Sequence, residues 1–126
     1  MTDLFVDSSV IIAIAFNEPG ASAAQRRLRA GNRVRATPLL EAEVLAACAR
    51  EGRAVDDQLL GAIEWVQPDR SLGPEIARVL EAGYVRGADC WHLATALYGA
   101  PDPRGVVFLT LDTRQRAVAK AVGFRL

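Results

Sequence analysis

An unbroken apolar triplet, Leu4-Phe5-Val6, opens the patterned part of the chain and stops at Asp7. A run that is apolar at every position fits a strand covered on both faces of a sheet. Ser8 and Ser9 follow, and Ser9 to Phe16 has helical length and composition, broken by Asn17-Glu18-Pro19-Gly20. Ala21 to Ala30 predicts a second helix, closed by Gly31-Asn32, and Val34-Arg35-Ala36 a short strand. Thr37-Pro38 then reads as an N-cap and first helical residue for a helix over Leu39 to Arg50. Asp56 to Val66 predicts a further helix, ending at Gln67-Pro68; Gly73-Pro74 opens another that runs to Gly83, and Asp89 to Tyr98 makes one more. Val106 to Thr110 is the most β-like stretch, rich in valine and bounded by Gly105 and Asp112. Thr113 to Val122 predicts the last helix, with Phe124-Arg125-Leu126 as an edge strand.

Strands that alternate with helices predict an α/β fold, a parallel sheet with helical layers on both sides. No internal repeat, low-complexity tract or linker divides the chain, so residues 1–126 are expected to form a single domain. No apolar run approaches the ~20 residues that span a bilayer. The N-terminal stretch carries Asp3 and no basic region, unlike a signal peptide, and Cys48 and Cys90 both sit in apolar, helix-like surroundings as small hydrophobes. The expected compartment is the cytoplasm.

Charge adds little. Fifteen basic and fifteen acidic residues cancel, so net charge does not point to a nucleic acid. Fourteen of the basic residues are arginine, whose planar fork suits phosphate. They cluster at Arg26, Arg27, Arg29, Arg33 and Arg35, and again at Arg114 and Arg116 with Lys120 behind the last acid.

The candidate chemistry lies in the acids. Asp7 and Asp112 each stand just past an apolar strand, and in a parallel sheet both fall at the edge where open α/β sheets place ligands. Asp89 opens a helix after Gly87-Ala88, and Glu41 and Glu43 lie in the helix that starts at Thr37-Pro38. The ordinary reading of each aspartate alone is a helix cap, and Asp112-Thr113-Arg114-Gln115 even matches a capping box. Glu41 and Glu43, two apart, both flank the apolar stripe of Leu40, Val44, Ala47 and Cys48, and periodicity does not choose between them.

Four segments carry a resemblance: Leu4-Phe5-Val6-Asp7-Ser8-Ser9-Val10-Ile11, Leu40-Glu41-Ala42-Glu43-Val44-Leu45, Ala88-Asp89-Cys90-Trp91-His92-Leu93-Ala94-Thr95-Ala96-Leu97 and Leu109-Thr110-Leu111-Asp112. In order and spacing the chain resembles PIN domains, most nearly the VapC toxin branch. The resemblance covers the whole chain and implies a three-layer sandwich with a central parallel sheet. It further implies an endoribonuclease whose Asp7, Glu43, Asp89 and Asp112 hold Mg²⁺ or Mn²⁺ and carry catalysis, an RNA substrate, a VapB-like antitoxin and a homodimer. The family's second acid is the Glu of an Ala-Glu-Val/Leu step, hence Glu43. A fifth acid found in some members beyond the fourth is replaced here by Arg114 and Arg116.

Elementary chemistry runs the same way. Carboxylates gathered in one hollow repel, which raises their pKa values, and a divalent cation removes that cost. All-oxygen ligation suits Mg²⁺ or Mn²⁺ rather than Zn²⁺. Ser9 and Thr110 are candidate supporting hydroxyls. Arg26, Arg27, Arg114 and Arg116 are candidate RNA contacts. His92, the sole histidine, is expected to pack within its helix because no Cys or Ser nucleophile partners it, and Trp91 to serve the core or an interface.

Three other readings compete. A receiver-like phosphoacceptor needs a lysine after a late strand, and Lys120 sits inside a helix. A haloacid-dehalogenase-type phosphatase needs a second Asp where Ser9 stands. A catalytically silent PIN-like RNA-binding module, or a PIN nuclease that is no toxin, comes nearer.

Overall fold

The computed structural model describes residues 2–126. Four strands, β1 (Asp3–Val6), β2 (Val34–Ala36), β3 (Glu64–Trp65) and β4 (Val106–Leu109), form one sheet in the order β3-β2-β1-β4, and every pairing is parallel. The helices are α1 (Ser8–Ala15), α2 (Ala21–Ala30), α3 (Pro38–Arg50), α4 (Asp57–Gly61), α5 (Gly73–Ala82), α6 (Gly87–Gly99) and α7 (Thr113–Val122). This is the expected α/β, PIN-like arrangement.

The paired strands β1 and β4 explain the layering. Side chains alternate across a strand, so Phe5 and Val6 must enter different faces. Phe5 stacks on Phe108, its register partner, with ring centroids 5.9 Å apart, in a core that includes Val79 of α5, Leu93 of α6 and Val118 of α7. Val6 and its partner Leu109 enter the opposite core, with Val10 and Ile11 of α1 and Leu40 and Val44 of α3. The helices that flank these strands bury their stripes against two apolar sheet faces, so β1 and β4 need no polar face. Among the described residues no helix is long and apolar enough to cross a membrane. Both cysteines are free and buried, as expected of small hydrophobes.

Three expectations need correction. The helix predicted over Asp56 to Val66 is only α4, and the chain then straightens into β3, where Val66 N–H donates to Ala36 O (2.8 Å). Neighbouring strand β2 had an open edge, and satisfying those backbone groups outweighs the helical propensity of the segment. The C-terminal edge strand reduces to a single parallel bridge between Val107 and Arg125. Helix α6 starts two residues before Asp89, with Arg86 at the N-cap position, so Asp89 belongs to its first turn and caps nothing.

Candidate active site

The C-terminal ends of β1 and β4 lie side by side, and Asp7 N–H donates to Leu109 O (3.2 Å) across them. This brings the start of α1 and the start of α7 to one edge of the sheet. The parallel strand β2 delivers the start of α3 to the same edge, and α6 closes the remaining side. A cleft of about 560 Å³ results, lined by Asp7, Ser8, Ser9, Glu43, Arg86, Asp89, Leu111 and Asp112, together with Ile12, Ala13, Glu18 and Pro19. All four predicted acids border this one space. Glu41 is exposed and lies outside the lining, which leaves Glu43 as the acid of α3 that borders the cleft.

Asp7 is 3% exposed. Its backbone is extended (φ −97°, ψ 174°), the geometry of an N-cap, yet its carboxylate makes no capping bond to α1. Instead Ser9 Oγ donates to Oδ1 (2.7 Å) and Thr110 Oγ1 to Oδ2 (2.9 Å). Burial raises its pKa to about 6, against the opposing effect of these two hydroxyls, and the charge of Asp89 adds to the rise. The carboxylate thus stands in the position of a helix cap but is turned to the cleft and left free of the helix.

Glu43 is half-buried and doubly held. His92 Nε2–H donates to Oε1 at 2.7 Å, since a carboxylate can only accept, and Ser8 Oγ donates to the same oxygen at 3.0 Å. Both bonds end on Oε1, so Oε2 is left for a ligand. The His92 hydrogen bond is the main cause that holds the Glu43 carboxyl below its usual range. His92 is 1% exposed, and its Nδ1 has no partner among the described residues. It is thus buried in its helix, as expected, and also reaches the acid site, which a reading of the helix alone misses. Trp91 Nε1–H donates to Thr37 Oγ1 (3.1 Å), which ties α6 to the N-cap of α3 and so sets Glu43 opposite His92.

Asp112 does cap: its Oδ1 accepts from Gln115 N–H (2.7 Å). The capping box is only half made, because the Gln115 side chain, fully buried, turns elsewhere. Its Nε2 donates to Asp89 O (3.2 Å) and its Oε1 lies 3.0 Å from Thr110 Oγ1. Gln115 therefore links the backbones that carry Asp89 and Asp112. Burial, then the charge of Asp112, raise the pKa of Asp89, with Glu43 adding to the effect and Arg86 opposing it. The acids feel one another's fields.

The donor set fits a hard divalent ion in chemistry, since every donor facing the cleft is carboxylate or hydroxyl oxygen. The spacing is open: among the described residues no three His, Cys, Asp or Glu side chains converge as one coordination group. Of the other predicted residues, Ser9 and Thr110 take the supporting positions, whereas Arg26 and Arg27 lie exposed on α2, outside the cleft lining. Arg116 is exposed on α7, and Arg114 lines an adjoining hollow. Sequence reasoning missed Arg86 and Glu18 in the lining, Ser8 on the Glu43 carboxylate, and the bridging role of Gln115. Glu18 sits beside Asn17, whose φ is +51°, so only the turn made there brings this fifth acid back toward the cleft.

Comparison with known proteins identifies the family. Residues 4–121 match the PIN domain. The chain is also similar to Ribonuclease VapC46 of Mycobacterium tuberculosis, with 30% identity over 126 residues, spanning 98% of this chain and 95% of that protein. Matched nearly end to end, the chain belongs to the PIN-domain family, among its VapC-type proteins.

Proposed function

We propose that the protein is a Mg²⁺- or Mn²⁺-dependent endoribonuclease, the toxin of a VapBC-type pair, acting in the cytoplasm. The observation that carries this reading is Asp7: a buried carboxylate at the end of the central strand, excused from capping, facing Glu43, Asp89 and Asp112 across one cleft. Membership of the PIN family and the likeness to a protein named a ribonuclease support it.

In this reading Asp7, Glu43, Asp89 and Asp112 hold the ion, directly or through water. When bound, a divalent ion supplies a lowered pKa for the attacking water and neutralises charge that builds on the phosphate. The chain's own residues do the rest. Ser9 and Thr110 hold both oxygens of Asp7 in a single rotamer. His92 and Ser8 hold Oε1 of Glu43 and aim its other oxygen into the cleft. Gln115 fixes the α6–α7 junction, and with it the separation of Asp89 from Asp112. Arg86, the one cation in the lining among the described residues, contacts the RNA phosphates beside the acids. Arg114 and Arg116 guide the strand, with Arg26 and Arg27 a more distant basic patch. A VapB-like antitoxin and a second copy of the chain are the proposed protein partners.

The test is cleavage of structured RNA in Mn²⁺ by the wild type and by Asp7→Asn. Loss of cleavage in the variant is expected; equal activity in both rejects the acid assignment. Expression of the chain alone should arrest growth, and co-expression of the adjacent small open reading frame should relieve it. One observation favours the silent binding module: the carboxylates do not converge as a coordination group. That module binds RNA but leaves it intact in Mn²⁺, so the same assay decides.

A further inference from the structure

A second hollow, of about 380 Å³, opens directly beside the acidic cleft. Asp89 and Asp112 border both spaces, Arg86 also lines both, and Tyr84 and Arg114 complete the second. Its character differs from the cleft's: two guanidiniums and a phenol ring stand where the cleft has mainly carboxylates. The guanidiniums are unengaged. Arg33, Arg70 and Arg104 each grip a carboxylate through two nitrogens, whereas Arg86 and Arg114 form no ion pair or side-chain hydrogen bond among the described residues. Tyr84, on the loop between α5 and α6, is 67% exposed, more than any other large hydrophobic side chain described. The ring also borders an apolar hollow with Leu80 and Trp91, yet most of it stays in water beside two free guanidiniums, which points to a ligand with a flat face and an anionic link.

We propose that this hollow is a nucleotide subsite for single-stranded RNA: the strand crosses the Asp89–Asp112 wall, sets a flanking phosphate between Arg86 and Arg114, and stacks one base on Tyr84. The inference rests on the ribonuclease reading and adds to it the direction in which the strand leaves the reacting phosphate. A phosphodiester repeats one charge and one flat ring per unit, which matches two forks and one aromatic face at the edge of an ion-holding cleft. An acidic peptide satisfies the arginines too, but it does not place a flat ring beside every anionic group as a nucleic acid strand does.

The experiment measures binding of a fluorescent single-stranded oligoribonucleotide to full-length Asp7→Asn protein in Mn²⁺ over a range of salt, alongside cleavage by the same substitutions in the wild-type background. Stacking of one base is worth ~1–3 kcal/mol, so Tyr84→Ala should weaken binding about 5- to 150-fold, while Tyr84→Trp retains it. Arg86→Gln should flatten the dependence of log K on log salt by about 0.7, one single-strand phosphate contact. An abasic unit scanned along the oligonucleotide should weaken binding at one position in the parent and have little further effect there in Tyr84→Ala. If the wild type cleaves RNA and both variants bind and cleave like their parents, the subsite is wrong and the nuclease reading stands. If the wild type neither binds nor cleaves RNA in Mn²⁺, the functional reading falls and takes the subsite with it. Should Tyr84→Ala alter the sedimentation mass but not RNA affinity, the ring belongs to a protein interface, which also overturns the proposal.

Discussion

Replacing Asp7 by asparagine should abolish cleavage and yet stabilise the protein when no metal is present. The carboxyl is buried, and its pKa is about 6 in the folded chain against 3.8 for an ordinary aspartate. Between those values the folded state holds a proton that the unfolded state has released. Stability therefore falls as pH rises through that window: the contribution is whole below pH 4 and lost above pH 6. A displacement of about two units corresponds to roughly 3 kcal/mol at neutral pH. The amide of the variant carries no charge, and its hydrogen bonds have partners. Ser9 Oγ keeps an acceptor, and Thr110 Oγ1, which has one proton and two acceptors in Asp7 Oδ2 and Gln115 Oε1, gives the proton to Gln115 and accepts from the new NH₂ group. The assay is urea denaturation in EDTA from pH 4 to 8. The two proteins should match near pH 4, and at pH 7.5 the variant midpoint should be higher by about 1–2 M. Adding Mn²⁺ should then stabilise only the wild type, because an ion that binds the folded state alone raises its stability. A variant less stable than the wild type at pH 7.5, or a difference that does not change with pH, would refute the account of Asp7.

Removing the hydrogen bond to Glu43 with His92→Leu should weaken Mn²⁺ binding about 10- to 100-fold in calorimetry, with His92→Gln recovering part of it; unchanged affinity would mean that His92 only fills space. Gln115→Met keeps the volume but removes the bond to Asp89 O and leaves the Thr110 hydroxyl only Asp7 as acceptor, so unfolding free energy should drop about 1–2 kcal/mol. Phe108→Ala opens a cavity between Phe5 and Phe124 and should cost ~3–5 kcal/mol in the same measurement, with the denaturant slope unchanged.

Much of this molecule was already decided in the order of its residues. The apolar runs of β1 and β4 cannot face water on either side, so the sequence calls for helices on both faces, and the parallel connection places Asp7 and Asp112 at one edge. Thr37-Pro38 starts α3 as its chemistry demands, with Leu39 N–H bonded to Thr37 Oγ1 at 3.3 Å. These features are local, or follow from one periodicity.

What the tertiary structure alone decided depends on partners remote in the chain. Strand β3 is two residues long and exists because β2 offers it an edge, with Arg33 gripping Glu64 across the gap; nothing within Asp56 to Val66 separates it from a helix. Glu43 rather than Glu41 borders the cleft because Ser8, 35 residues away, and His92, 49 away, meet it there. A capping aspartate and one turned to a cleft can share an extended backbone, so Asp7 and Asp112 look alike in sequence. They differ in the end because Ser9 and Thr110 turn one carboxylate inward, while Gln115 N–H claims the other. Periodicity can say which face of a helix is apolar, but the competition between donors for one carboxylate is settled only when the donors arrive in space.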